Sequence, residues 1–282
     1  MSNLGFHCNR LDLLDDMIIG NGLKRGEFYN LPSDDLARLR KLIDRHKLVW
    51  SIHAPLIQLD WYPRPPTWSF LCDEDSDNRE LTMKMVNLTI NHAEEFGAEY
   101  VVVHFPSPAS RTSNESDDEK VEAIAWKSCD RLAELSVKRG VLLHIEGVGA
   151  SPLINAEFLT SILEQYSPPL KYCFDTAHSY LAAQSNDFDL YEFEKELLPY
   201  LGSVHLWNTR GRDDYNAYRH IPVHPSQSAD EGWADIARIL KILGSKGNSL
   251  PLIFESDRLY PETLGKYDYR EGVKWVTELL AT

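Results

Sequence analysis

Short apolar runs recur along the chain, each followed by a polar stretch and then by an amphipathic segment. They fall at 3–8, 25–30, 48–54, 99–105, 141–147, 170–176, 203–208 and 250–256. Runs such as "EYVVVHF" and "LKYCFDT" are almost continuously apolar, which is the pattern of parallel strands covered on both faces. Between them the spacing turns helical. "SDDLARLRKLIDRHK" (33–47) opens on Ser33 as an N-cap, with acidic residues in its first turn. "NRELTMKMVNLTINHAEEFG" (78–97) and "DEKVEAIAWKSCDRLAELSVKRG" (118–140) end on Gly97 and Gly140, placed as C′ glycines. "ADEGWADIARILKILG" (229–244) and "REGVKWVTELL" (270–280) repeat the apolar spacing. Eight strands alternating with helices over 282 residues predict an α/β fold, a single-domain TIM (β/α)8 barrel spanning 1–282. A doubly wound sheet is the alternative, but no strand is followed by its glycine-rich phosphate turn.

Polar residues gather at the strand ends: His53, His104, Glu146, Asp175 with His178, His205 and Glu255. Any one alone reads as a satisfied polar residue or a helix cap. Six successive strands ending this way read differently, because in a barrel these ends converge on the C-terminal face, where catalytic groups collect. Carboxylates and imidazoles crowded there repel or stay desolvated unless a cation sits among them. Nitrogen and carboxylate donors suit Zn2+, Mn2+ or Fe2+ better than Ca2+.

Other residues are open to two readings. "NTRGRDDYNAYRHIPVHPSQ" (208–227) reads as a long polar loop that brings His220 or His224 to the active face as a ligand or substrate contact. "DWYPRPPTWSF" (60–70) holds Trp61, Tyr62, Trp68 and Phe70, which either stack on a sugar or base or pack the loop onto the barrel. Arg64 and Arg219 are candidate phosphate contacts. His144 shares a strand face with Glu146. It reads first as a barrel-interior histidine bonded to a neighbour, and second as a partner orienting Glu146. His7, ending the first strand, also reaches the pocket, whereas His46 and His92 fall in helical patterns.

Composition narrows the function classes. A 43% hydrophobic, 11% aromatic chain can bury a large core, and a net charge of −14 argues against broad binding to phosphate backbones. No stretch approaches the roughly 20 apolar residues of a membrane span. No signal-peptide pattern opens the chain, and four scattered cysteines read as reduced. A cytoplasmic protein is expected, with no membrane association and no protein partner inferred.

Taken in order, "SIHAPL", "VVVHFP", "HIEG", "FDTAH", "VHLWN", "YRH" and "IFES" resemble the xylose isomerase-like TIM-barrel superfamily, and within it the endonuclease IV branch (apurinic endonuclease family 2). The resemblance covers nearly the whole chain. It implies a trinuclear zinc centre. Glu146 would bridge two metals, His53 and His104 would complete the first, and Asp175, His205 and Glu255 the second. His178 and His220 would bind the third. The branch's ninth ligand is an Asp, and Tyr218 stands in its place, "YRH" for "DRH". A neutral phenol replaces a carboxylate poorly, so the third metal is expected to be weak, absent, or rescued by His224, Asp213 or Asp214. The implied chemistry is attack of metal-activated hydroxide on a phosphodiester or sugar phosphate, with abasic-site DNA as the branch's substrate.

The sugar isomerases and epimerases of the superfamily resemble the chain in Glu146, Asp175, His205 and Glu255 around one divalent metal. There Glu146 and Glu255 move a proton between adjacent sugar carbons, and His178 contacts a substrate hydroxyl. Arg210 or Arg212 supplies the basic substrate contact. The expectation is therefore a metal-dependent enzyme, an endonuclease IV-like hydrolase first and a sugar isomerase or epimerase close behind, with catalytic Glu146, Glu255 and His178. Its substrate-binding candidates are Arg210, Arg212, His224, Trp61 and Trp68. The cofactor is a divalent metal, Zn2+ first, with Mn2+, Mg2+ or Fe2+ as alternatives. The substrate is a small sugar or sugar phosphate, or abasic-site DNA. A non-catalytic metal-binding barrel is the third reading.

Overall fold

The computed structural model describes residues 3–63, 65–106, 118–149, 151–256 and 267–281. Its strands are β1 (Leu4–Cys8), β2 (Arg25–Phe28), β3 (Val49–His53), β4 (Tyr100–His104), β5 (Leu142–Glu146), β6 (Leu170–Asp175), β7 (Leu201–Leu206) and β8 (Leu252–Phe254). All pair in parallel with their sequence neighbours, and β8 returns to β1, closing a barrel. This is a TIM barrel. The strands lie within two residues, at each end, of the eight apolar runs.

Strand alternation explains both the runs and their interruptions. Val101, Val103, Leu143, Ile145, Phe174, Val204 and Leu206 are fully or almost fully buried in the main core, between strands and helices. The alternate positions point into the barrel, and there the chain is unusually polar. Arg25, Glu27, Ser51, His144 and Ser203 are buried there, with the small Tyr100, Val102, Cys173 cluster.

The outer helices are α1 (Leu36–His46), α2 (Ser76–Phe96), α3 (Asp118–Arg139), α4 (Ala156–Tyr166), α5 (Thr176–Asn186), α6 (Leu190–Leu197), α7 (Arg212–Tyr218), α8 (Ile236–Leu243) and α9 (Tyr269–Leu280). Gly97 and Gly140 follow α2 and α3 at φ of 75° and 66°, the left-handed region that favours glycine. Three expectations change. Ser33 is not a side-chain cap: it is taken up into a 3-10 turn, Ser33–Asp35, so its hydroxyl does not stand at the flanking position from which a cap reaches. The 229–244 segment is broken at Gly232 (φ 87°), and α8 starts afresh from Asp235, whose carboxylate accepts the Arg238 N–H at 3.0 Å. The stretch 208–227 is not all loop, since its middle forms α7. Among the described residues no helix is long and apolar enough to cross a membrane.

Candidate metal centre

The strand ends deliver their side chains to one place. His53, His104, Glu146 and Asp175 are the last residues of β3 to β6, His205 is next to last in β7, and Glu255 follows β8 directly. Glu146, Asp175, His205 and Glu255 offer donor atoms all within 4.8 Å of one another. His53, His104 and Glu146 form a second such group, and His7, His53 and Glu255 a third. His205 Nδ1 lies 3.1 Å from Glu255 Oε2, 3.5 Å from Glu146 Oε1 and 4.0 Å from Asp175 Oδ2. His53 Nε2 and His104 Nε2, 3.1 Å apart, both approach Glu146 Oε2, at 3.2 and 3.5 Å. On the first strand, His7 Nδ1 lies 3.1 Å from Glu255 Oε1.

The charges in this cluster oppose one another. Burial favours the neutral acid at Glu146, but His205 and His104 outweigh it and hold its pKa well below the ordinary value. Glu255 is lowered in the same way against burial, by His7, His220 and His205. Asp175 goes the other way: burial, then the carboxylates of Glu146 and Glu255, push its pKa well up. Burial also keeps His104 and His178 neutral, at about 3 and about 4. One carboxyl is thus driven to hold a proton because its neighbours are anionic, and a cation among them would remove that pressure. Glu146 Oε1, Glu255 Oε2 and both His205 nitrogens are buried without an aligned hydrogen bond. Carboxylate oxygens and imidazole nitrogens with uncommitted lone pairs fit a divalent transition metal.

Asp175 joins two sequence readings. Its Oδ1 accepts the His178 N–H at 2.6 Å and caps α5, while Oδ2 accepts from Trp207 Nε1 at 2.6 Å and faces the cluster. His178 and His220 lie side by side, ring centres 5.8 Å apart, with His220 Nδ1 4.0 Å from Glu255 Oε1. Tyr218 packs elsewhere, against Ile221, Trp233 and Tyr267. Two adjoining hollows, each about 150 Å³, open above the cluster and share His7, Tyr29, His220 and Glu255. Asn9, Arg219 and Ser256 line one; Trp68, Phe70, His104, His178 and Tyr215 line the other.

Several candidates are not brought to this place. Arg210 pairs with Asp214 at 2.6 Å and lies over Trp233. Arg212 lines a separate surface hollow with Gln184 and Asp213. His224 is held by Glu271 and Ser226, at 2.9 and 2.8 Å. Asp213 and Asp214 line that same separate hollow and His224 is tied to Glu271, so none of the three is placed with His178 and His220. Trp61 packs on the core under Lys84, whereas Trp68 is 54% exposed at the rim. Arg64 lies outside the described residues. His144 takes the plainer of its two readings: it bonds Ser203 Oγ at 2.9 Å and stacks on Tyr100.

The sequence reading passed over Glu27. This fully buried carboxylate sits inside β2, with Oε1 2.9 Å from His205 Nε2. Burial opposes its ionisation, but His205, His7 and His53 hold its pKa down to about 2. The available signal was the charged pair Arg25 and Glu27, two apart in "RGEFYN", which alternation sends into the barrel.

The chain matches the family described as xylose isomerase-like TIM barrel over residues 16–279. It belongs to that family. Within the curated proteins it is similar to a probable endonuclease 4 of Haloarcula marismortui, 22% identical over 214 residues, covering 72% of this chain and 70% of that one. Among solved structures, a D-tagatose 3-epimerase-like protein superposes with a TM-score of 0.72 at 18% identity, covering 99% and 98% of the two chains. An L-ribulose 3-epimerase gives 0.71 at 18%, covering 100% and 95%. At these identities the structural likeness establishes the shared barrel. Nuclease and epimerase names occur around this xylose isomerase-like chain, so the choice of chemistry falls to its own residues.

Proposed function

We propose that this xylose isomerase-like barrel is a divalent-metal-dependent enzyme acting on a small sugar or sugar phosphate, an isomerase or epimerase that moves a proton between adjacent carbons. The observation that supports this is the grouping of Glu146 and Glu255 with Asp175 and His205 beneath a small hollow walled by aromatic rings. A divalent ion held by these four would stabilise negative charge developing on substrate oxygens. The chain supplies the rest. Glu146 and Glu255, kept ionised by surrounding imidazoles, accept and return the carbon-bound proton. His178, neutral and facing the hollow, contacts a hydroxyl, and Trp68 covers a sugar face. Among the described residues no carboxylate pairs with Arg219, and in the adjoining hollow it suits a phosphate or other anionic end of the substrate.

The abasic-site nuclease is the second reading. His53 and His104 favour it, because with Glu146 they form a further donor group that a one-metal site does not need. Against it stands Tyr218, which leaves the His178 and His220 pair without the third-metal carboxylate.

One experiment separates the two. Metal is counted in the purified protein, which is then assayed in parallel on a panel of ketoses, aldoses and their phosphates and on duplex DNA with one abasic site. Sugar interconversion with no incision is expected. Three tightly bound zinc ions with incision would refute the isomerase reading.

A further inference from the structure

We propose that Glu27 is a positioning residue for the metal centre: it holds the His205 imidazole from behind, so that Nδ1 faces the carboxylates. The inference rests on the metal-centre reading above and adds a residue to it. The imidazole of His205 has two unlike sides. On one, Nδ1 lies 3.1 Å from Glu255 Oε2 and 3.5 Å from Glu146 Oε1. On the other, Nε2 lies 2.9 Å from Glu27 Oε1. An imidazole that binds a cation through Nδ1 keeps its one proton on Nε2, and the Glu27 carboxylate beside Nε2 favours that tautomer against the pull of Glu146 and Glu255 on Nδ1.

Glu27 is itself held. It is fully buried, and its Oε2 accepts from Ser51 Oγ at 2.9 Å, from the residue paired with it across β2 and β3. The nearby cation of the strand, Arg25, is engaged with Glu99 at 2.5 Å. Among the described residues the only ion pair of Glu27 is with His205. A buried carboxylate with no task beyond filling the barrel would be costly to keep and replaceable by a neutral residue. Its placement behind one donor of the cluster supplies such a task.

The test measures affinity for Zn2+ and Mn2+ by competition with a chelating dye, in the wild-type chain, Glu27→Gln and Ser51→Ala. Glu27→Gln should bind roughly 10- to 100-fold more weakly, and Ser51→Ala should lose less, in the same direction. In the Zn2+-loaded wild type, nitrogen NMR should find His205 protonated at Nε2. A folded Glu27→Gln that keeps wild-type affinity, even with an altered melting temperature, overturns the proposal while the centre stands. So does a His205 proton on Nδ1. If Glu27→Gln does not fold, unchanged affinity in Ser51→Ala overturns it instead. A wild type that binds neither ion overturns the metal-centre reading, and this inference with it.

Discussion

At the scale of single residues, Glu194 in α6 carries both carboxylate oxygens into the interior, where among the described residues neither has a hydrogen-bond partner. Burial lifts its pKa to about 9, from an ordinary 4.5. The unfolded chain therefore releases this proton first, and between those two pH values each step upward favours unfolding. Glu194→Gln should stabilise the protein by about 3–5 kcal/mol near pH 8, and the gain should vanish below pH 4.5. Denaturant titrations at both pH values check this, and an equal gain at both would refute it. In the hollow, Trp68→Ala should leave stability nearly unchanged, because the ring is more than half exposed. It should raise KM several-fold through about 1 kcal/mol of lost stacking. A change in kcat alone would contradict that role. Glu255→Gln, assayed at saturating metal, should lose roughly 10²- to 10⁴-fold in kcat. Retained turnover would remove it as an acid–base group.

At the scale of elements, close approach fixes how two parts of the barrel pack. A Cβ on Gly202 would lie 2.5 Å from His144 Nε2, so β7 admits the buried imidazole only because residue 202 has no side chain. A Cβ on Gly272 would overlap the carbonyl oxygen of Val223, so α9 lies directly on the segment after α7. Gly202→Ala and Gly272→Ala should each cost about 1–3 kcal/mol, read from chemical denaturation. Gly202→Ala should also displace His144 from Tyr100. Wild-type stability in either would mean that the backbone yields easily. Neither glycine stands out in the sequence, because the crowding comes from chain segments far apart in order.

At the scale of the whole molecule, the barrel concentrates charges that repel one another at its mouth. A divalent ion should therefore stabilise the fold, by about 2.7 kcal/mol at a hundred times Kd, and a chelator should lower Tm. A Tm indifferent to both would sink the metal centre. The eight strands and the strand-end residues were legible in the sequence, because a parallel barrel needs apolar runs and places polar ends only at the rim. Gly97 and Gly140 marked helix ends for an equally local reason. Local pattern could not decide which polar residues meet. Arg210 and Arg212 follow β7 more closely than His220 does, and His224 lies four residues beyond His220, yet Arg210 turns to Asp214 and His224 to Glu271, while His220 comes to rest beside His178. Glu27 looked like one charge in a short strand until closure of the barrel set it behind His205. The sequence alone thus determined the barrel and its polar rim, through periodicity. The tertiary structure decided the partners of each group, because contacts between distant strands depend on closure and register rather than on neighbours in the chain.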